Sequence, residues 1–389
     1  MVAGMDPSAP LPAGIVTPDL AAVLGDGAAL DARELTHNAG NQATGGIWRV
    51  RGPAGRAVVK LATAAGGGDR AWATSDRRHH WNSWRREVLA YQSGFAASVY
   101  ADAGLGAPRL LAVVEPRPGV VALWLEDVAG LPGARWPVSR LAGFAERLGR
   151  AQAGWVGRDP AHPWLSRRWL RQYVASKPIR EPVPWDHPLA AAVWPAEVRA
   201  GLRRLWERRD QLLAIAEALP QTTCHLDVWP MNLIARGGPG DEIVLLDWAF
   251  AGAGAVGEDV GNLIPDSVAD GLIDPELLPE IDQAVTGGYL AGLRAGGWRG
   301  QDAQVRRGDR GHRGGQVLLA GPAYAPAAGR RRRPRVLRPP RRRAGRGGPP
   351  RHAHPGRQLG PPGPRGAHGL GRGPGPLLLG GERLGHVLE

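Results

Sequence analysis

Hydrophobic and polar positions follow two periods along this chain. Ile47–Arg51 and Ala57–Ala62 alternate around a Gly52-Pro53-Ala54-Gly55 turn, which predicts a strand hairpin. Trp81, Trp84, Val88 and Tyr91 fall at helical spacing and predict a helix from Arg77 to about Ser98. Arg109–Glu115 and Val120–Glu126 read as a second strand pair around Pro116-Arg117-Pro118-Gly119. After Leu131 the period is helical over Ser139–Trp155, Trp164–Val174 and Leu189–Leu219, with Pro-rich breaks near Pro160 and Pro178–Pro184. Asn232–Ala235 and Glu242–Leu246 are short strands, and helical pattern resumes over about Glu258–Ala295. The pattern predicts an α+β chain with a small sheet lobe and a larger helical lobe. Its boundaries are an N-terminal extension over 1–34, a sheet lobe over 35–128 and a helical lobe over 129–300.

From 301 onward no period survives. This segment of 89 residues holds 20 Gly, 13 Pro and 19 Arg against 4 acids. Such a composition buries too little apolar surface to offset ordering entropy and predicts a disordered tail over 301–389. In a chain with 47 Arg and two Lys it also reads as an out-of-frame translation of a GC-rich coding sequence. The whole chain carries +13, but the excess lies in this tail, so the body gives no reason to expect a nucleic-acid partner. Nucleic-acid binding through the Arg-rich tail stays as an alternative. No apolar run reaches membrane-spanning length, and Met1–Leu20 lacks the layout of a signal peptide. A single cysteine, Cys224, excludes an intramolecular disulfide. A cytoplasmic enzyme is the expectation; oligomeric state is not readable.

Chemistry concentrates in Cys224-His225-Leu226-Asp227-Val228-Trp229-Pro230-Met231-Asn232, followed after an apolar strand by Asp247-Trp248. Phosphoryl transfer needs a group at the attacking hydroxyl and oxygen ligands that hold magnesium on the phosphates. Asp227 can accept the hydroxyl proton; Asn232 and Asp247 can supply one amide and one carboxylate oxygen to Mg²⁺. His225 reads as a brace for the loop. Lys60, in the apolar strand Val58-Val59-Lys60-Leu61, is the candidate cation for the phosphates of ATP, with Glu87 as the carboxylate that aims it. Gly45 and Gly46 can fold over the phosphates, and backbone groups at Glu126 can meet adenine. Gly252-Ala253-Gly254-Ala255-Val256-Gly257 matches a dinucleotide fingerprint, but no βαβ unit surrounds it.

These residues together resemble the aminoglycoside phosphotransferase and choline-kinase-like family over roughly 35–300. The resemblance rests most on His225–Asn232 and Leu246-Asp247-Trp248. It implies a bilobal protein-kinase-like fold, ATP with two Mg²⁺, Asp227 as base, Asn232 and Asp247 as metal ligands and a Lys60–Glu87 pair. Gly257-Glu258-Asp259-Val260-Gly261-Asn262-Leu263 resembles a further family element, which implies that Asp259 braces the catalytic loop. The implied reaction is ATP-dependent phosphorylation of a small-molecule hydroxyl. In the family, helices after about 300 help to build the substrate pocket, so a tail in their place offers a rival reading, an inactive nucleotide-binding chain. The acceptor itself is not specified. Acids between Glu258 and Asp282 offer a surface for a polycation or simply a solvated helix face. Eight Trp between 124 and 206 can stack on a sugar, cage a quaternary ammonium or fill the core.

Overall fold

The computed structural model describes residues 11–25, 30–64, 70–159, 161–177, 179, 182–237, 241–269 and 272–324. After a short helix α1 (Ala21–Leu24), three strands β1 (Asp31–Glu34), β2 (Thr44–Arg51) and β3 (Arg56–Thr63) lead into helices α2 (Arg86–Gln92) and α3 (Phe95–Ser98). Then come β4 (Leu105–Gly106), β5 (Leu110–Arg117), β6 (Val120–Glu126) and β7 (Leu131–Pro132). The helical lobe holds α4 (Val138–Ala153), α5 (Trp169–Ser176), α6 (Pro188–Val193), α7 (Ala196–Glu207) and α8 (Arg209–Ala218). It continues through β8 (Gln221–Cys224), β9 (Leu233–Ala235), β10 (Ile243–Leu245) and β11 (Gly252–Ala255), and ends with α9 (Glu258–Ala269), α10 (Leu278–Ala295) and α11 (Asp302–Tyr324). This is the two-lobed α+β architecture that the pattern predicted, in the kinase-like form that the family resemblance implied. Among the described residues no helix is long and apolar enough to cross a membrane.

The first lobe is an antiparallel sheet in the order β1-β2-β3-β6-β5. Alternation along β3 sends Ala57, Val59 and Leu61 to a core shared with Trp48, Val50 and Trp124. Lys60 therefore faces the other way, toward α2. Ile15, Leu20 and Leu24 are buried in the same core, and Trp124 Nε1 donates to the Ile15 carbonyl at 2.8 Å. The described part of the expected extension over 1–34 thus packs as part of this lobe.

Two helices differ from the expected ones. Arg77–Arg85 is a chain of turns, and α2 begins only at Arg86. The Arg86 guanidinium takes up the carbonyls of Arg78, His80 and Trp81, so these acceptors serve a side chain instead of a helical ladder. The single helix expected over Leu189–Leu219 is three, broken at Pro195 and at Arg208.

The tail expected from 301 onward begins with a helix instead. In α11, Val305, Asp309, His312 and Arg313 are buried, a one-face spacing that places them against the helices around them. Composition hid this because Arg, Gly and His dominate the segment, and Gly308 lies close to the Val256 carbonyl where a larger side chain cannot. Residues 325–389 lie outside the described residues.

Candidate active site

β8 delivers the catalytic loop, and β11 pairs antiparallel with it from Gly252↔Cys224 to Ala255↔Gln221. The fingerprint-like glycines thus form a strand beside the loop, which answers the dinucleotide reading. Leu226 sits at φ 64° and Asp247 at φ 59°, left-handed positions that cost a non-glycine residue about 1–3 kcal/mol each. The loop is held by Asp259, whose oxygens accept from His225 N at 2.9 Å and Leu226 N at 2.7 Å. Burial pushes the Asp259 carboxyl up to about 6, against those two amides. Gln152 Nε2 donates to Asp259 at 2.7 Å, and Tyr289 hydroxyl donates to the Gln152 oxygen at 2.5 Å.

Asn232 Nδ2 donates to the Asp227 carboxylate at 2.8 Å and to the Asp227 carbonyl at 3.0 Å. The amide nitrogen thereby orients Asp227. His225 is fully buried and packs edge-on against Trp248, 4.7 Å between centres. Burial lowers its pKa to about 4, so it is neutral at physiological pH.

Lys60 Nζ lies 2.6 Å from Glu87 and 2.8 Å from Asp247. Burial opposes the ammonium, but Asp247 and Glu87 outweigh it and raise its pKa. Burial likewise acts to raise Asp247, and Lys60 more than offsets it and keeps the carboxylate ionised. The expected Lys60–Glu87 pair is therefore present, with Asp247 on its other side. All five groups, Lys60, Glu87, Asp227, Asn232 and Asp247, line one cleft of about 960 Å³ between the lobes.

Thr44 and Ile47, which flank Gly45 and Gly46, line the edge of the cleft together with Asn38 and Asn41. A side chain on Gly45 would meet Thr63, and one on Gly46, at φ 141°, would meet the Trp48 ring, so sheet packing accounts for both. Glu126 lines the cleft; its N–H donates to the Arg109 carbonyl and its carboxylate is forked to Arg236 at 2.6 and 2.9 Å. Asp127 and Val128 beside it also line the cleft. Of the acids that offered either a polycation surface or a solvated helix face, Asp259 is buried, Asp282 pairs with Arg313, and Asp274 accepts from Glu276 N; Asp270 lies outside the described residues.

Sequence reasoning missed the supports. Arg86 is fully buried and donates to five carbonyls, including Trp164 at 3.1 Å and Ala249 at 3.0 Å. It ties the helix that carries Glu87 to the turn that follows Asp247. Burial lowers its pKa to about 9, which still leaves it charged at neutral pH. Asn262 Nδ2 donates to the Val228 carbonyl at 3.2 Å, and its oxygen faces His312 Nε2 of α11 at 3.2 Å. The adjacency Arg86-Glu87 was the one available signal for the first. The second had none, since His312 lies in the Arg/Gly-rich segment.

A family model for the phosphotransferase enzyme family matches residues 43–299, which span both lobes and include Lys60, Glu87, Asp227, Asn232 and Asp247. The chain belongs to this phosphotransferase family. Among solved structures it resembles an amicoumacin kinase bound to a nucleotide analogue, Ca²⁺ and amicoumacin, at 13% identity over 75% of this chain and 79% of the other, TM-score 0.45. It also resembles an aminoglycoside phosphotransferase from Streptomyces rimosus, at 17% identity over 74% of this chain and 92% of the other, TM-score 0.43. A third is a microcompartment-associated aminopropanol kinase, at 14% identity over 78% and 87% of the two chains, TM-score 0.45. No curated protein matches the sequence.

Proposed function

We propose that this phosphotransferase moves the γ-phosphoryl group of ATP to a hydroxyl of a small molecule. The observation that carries the reading is the meeting of the Asp227–Asn232 pair and the Lys60–Glu87–Asp247 set in one cleft. The donor set at Asp247 and Asn232, one carboxylate and one amide oxygen, fits magnesium, which takes few protein oxygens and keeps water and phosphate for the rest. Bound there, the ion would neutralise charge on the phosphates. Lys60 would add its ammonium to the same oxygens, with Glu87 holding its direction. Asp227 receives the acceptor's hydroxyl proton as that oxygen bonds to the γ-phosphorus and the bond from phosphorus to the ADP oxygen breaks. His225 and Asp259 take no part in the transfer and keep the loop in its strained form. The acceptor is a soluble small molecule, and the cytoplasm is the proposed setting.

Turnover is checked by ADP release with Mg²⁺ and a panel of aminoglycosides, amino alcohols, choline, sugars and homoserine. Asp227→Asn keeps the fold and nucleotide binding, and its rate falls by about 10² or more. Equal turnover by wild type and Asp227→Asn would remove Asp227 from the mechanism.

A further inference from the structure

A second cavity, of about 480 Å³, is walled by residues of α5, α8, β8 and β11. Trp169 lines both this cavity and the catalytic cleft, so its ring stands between them. Four arginines line the cavity: Arg158, Arg167, Arg168 and Arg171. Glu217 of α8 engages two of them, accepting from Arg168 at 2.8 and 2.9 Å and from Arg171 at 2.6 and 3.2 Å. Arg158 and Arg167 are exposed, and neither guanidinium has a carboxylate or hydrogen-bond partner among the described residues. Asp159 and Glu258 are the other acids of the lining. Glu258 is buried, and its carboxylate is met by Ala255 N at 2.8 Å and by the His312 ring at 3.4 Å. Trp169 adds a donor: it is 3% exposed, and its indole N–H has no partner among the described residues.

We propose that this cavity is a binding site for a small phosphate monoester, separate from the catalytic cleft. A guanidinium holds several N–H donors in a fixed fork that matches the oxygens of a phosphate. Two such forks without an acid to neutralise them call for an anion with more oxygens than a single carboxylate has. A phosphate monoester offers three, with nearly two negative charges at neutral pH. The four arginines outnumber the three acids of the lining, and the indole N–H supplies a neutral donor beside them. The rest of the wall is partly apolar, with Leu170, Leu213 and Ala216. The volume exceeds that of a bare phosphate and lies in the range of small-molecule sites, so it has room for the organic part of the ester. Thr222 and Thr223 of β8 also line the cavity and directly precede Cys224-His225. A ligand held here therefore rests against the strand that delivers Asp227.

The test uses the full chain without nucleotide or Mg²⁺, at constant ionic strength. Glycerol 3-phosphate is the probe and glycerol its uncharged counterpart. Binding is followed by titration calorimetry and by thermal shift. Wild type binds glycerol 3-phosphate saturably and does not bind glycerol. Arg158→Gln combined with Arg167→Gln binds the probe at least about tenfold more weakly, because two charge-assisted contacts are lost. Both side chains are exposed and unpartnered, so this variant melts as wild type does without probe. If it fails to fold, the two single variants are read in its place. Arg51→Gln combined with Arg117→Gln removes the same charge from exposed positions of the sheet lobe and leaves the affinity unchanged. No saturable binding by wild type, equal affinity after loss of Arg158 and Arg167, or an equal drop after loss of Arg51 and Arg117 overturns the proposal. None of these four arginines acts in the proposed transfer and the assay needs no turnover, so its failure leaves the kinase reading standing. A chain that binds the probe but never releases ADP would sink the kinase reading alone.

Discussion

Leu226 and Asp247 bracket the catalytic segment, and both hold backbone conformations that glycine adopts more cheaply. The hydrogen bonds of Asp259 and the Lys60 contact are what keep them there. Asp259 accordingly gives a pH signature. Its folded-state pKa is raised from 3.8 to about 6, with burial as the leading cause. Between those values the unfolded chain loses the proton first, so ionisation favours unfolding as pH rises. Stability from this group is therefore greatest below about pH 4, declines toward about pH 6 and is level above it. About two pKa units correspond to about 3 kcal/mol as an upper scale. Denaturant midpoints of wild type and Asp259→Asn, followed from about pH 4 to about pH 7, should show that decline as the difference between the two curves. A pH-independent difference would mean that the carboxylate titrates normally. The groups proposed to act in the transfer were legible because they share one short segment with fixed spacing, His225 to Asn232 and then Asp247. Asp259 was legible through the family resemblance alone. Arg86, Gln152 and Asn262 were not, because each acts on main chain brought near by the tertiary fold, with no spacing to betray it.

At the scale of elements, the sheet was the easiest part to read. Alternation in β3 and β6 fixes which face each residue takes, and Lys60 follows directly. The helical lobe was harder, since Pro195 and the turns before Arg86 break the period for reasons set by neighbours. The α4–α10 pair shows another property that the sequence hides. A Cβ on Gly292 would sit 1.9 Å from the Glu146 carbonyl of α4, whereas one on Gly287, on the same helix, would meet nothing within 4 Å. Alanine is preferred to glycine in a helix by about 1 kcal/mol. Gly287→Ala should therefore stabilise the protein by about 0.5–1 kcal/mol. Gly292→Ala must force the helices apart, at a cost of about 1–3 kcal/mol that exceeds the propensity gain. Thermal melts of the two variants test the pair, and a melting temperature raised by both would show that α4 yields without cost.

For the whole molecule, α11 moves the point at which the chain changes character. Residues 325–389 hold 15 Arg and 2 acids, so the formal +13 of the chain lies beyond the helix and residues 1–324 balance. The helix itself is bound into the catalytic lobe through specific groups. His312 faces Glu258 and Asn262, Arg313 pairs with Asp309 and Asp282, and Val305 is fully buried. Through Asn262 this contact reaches the Val228 carbonyl, one residue from Asp227. A chain ended after Gly300 uncovers those buried groups and leaves Glu258 and Asn262 without their α11 partner. Loss of one buried valine and of several charged hydrogen bonds totals about 4 kcal/mol or more, a large share of the stability of an ordinary domain. That truncation is therefore expected to melt well below the full chain and to lose ADP release. A chain ended after Tyr324 retains every described contact and should match the full chain in both measurements. If the chain ended after Gly300 instead kept full stability and turnover, α11 would be an ornament and the active lobe would close at α10.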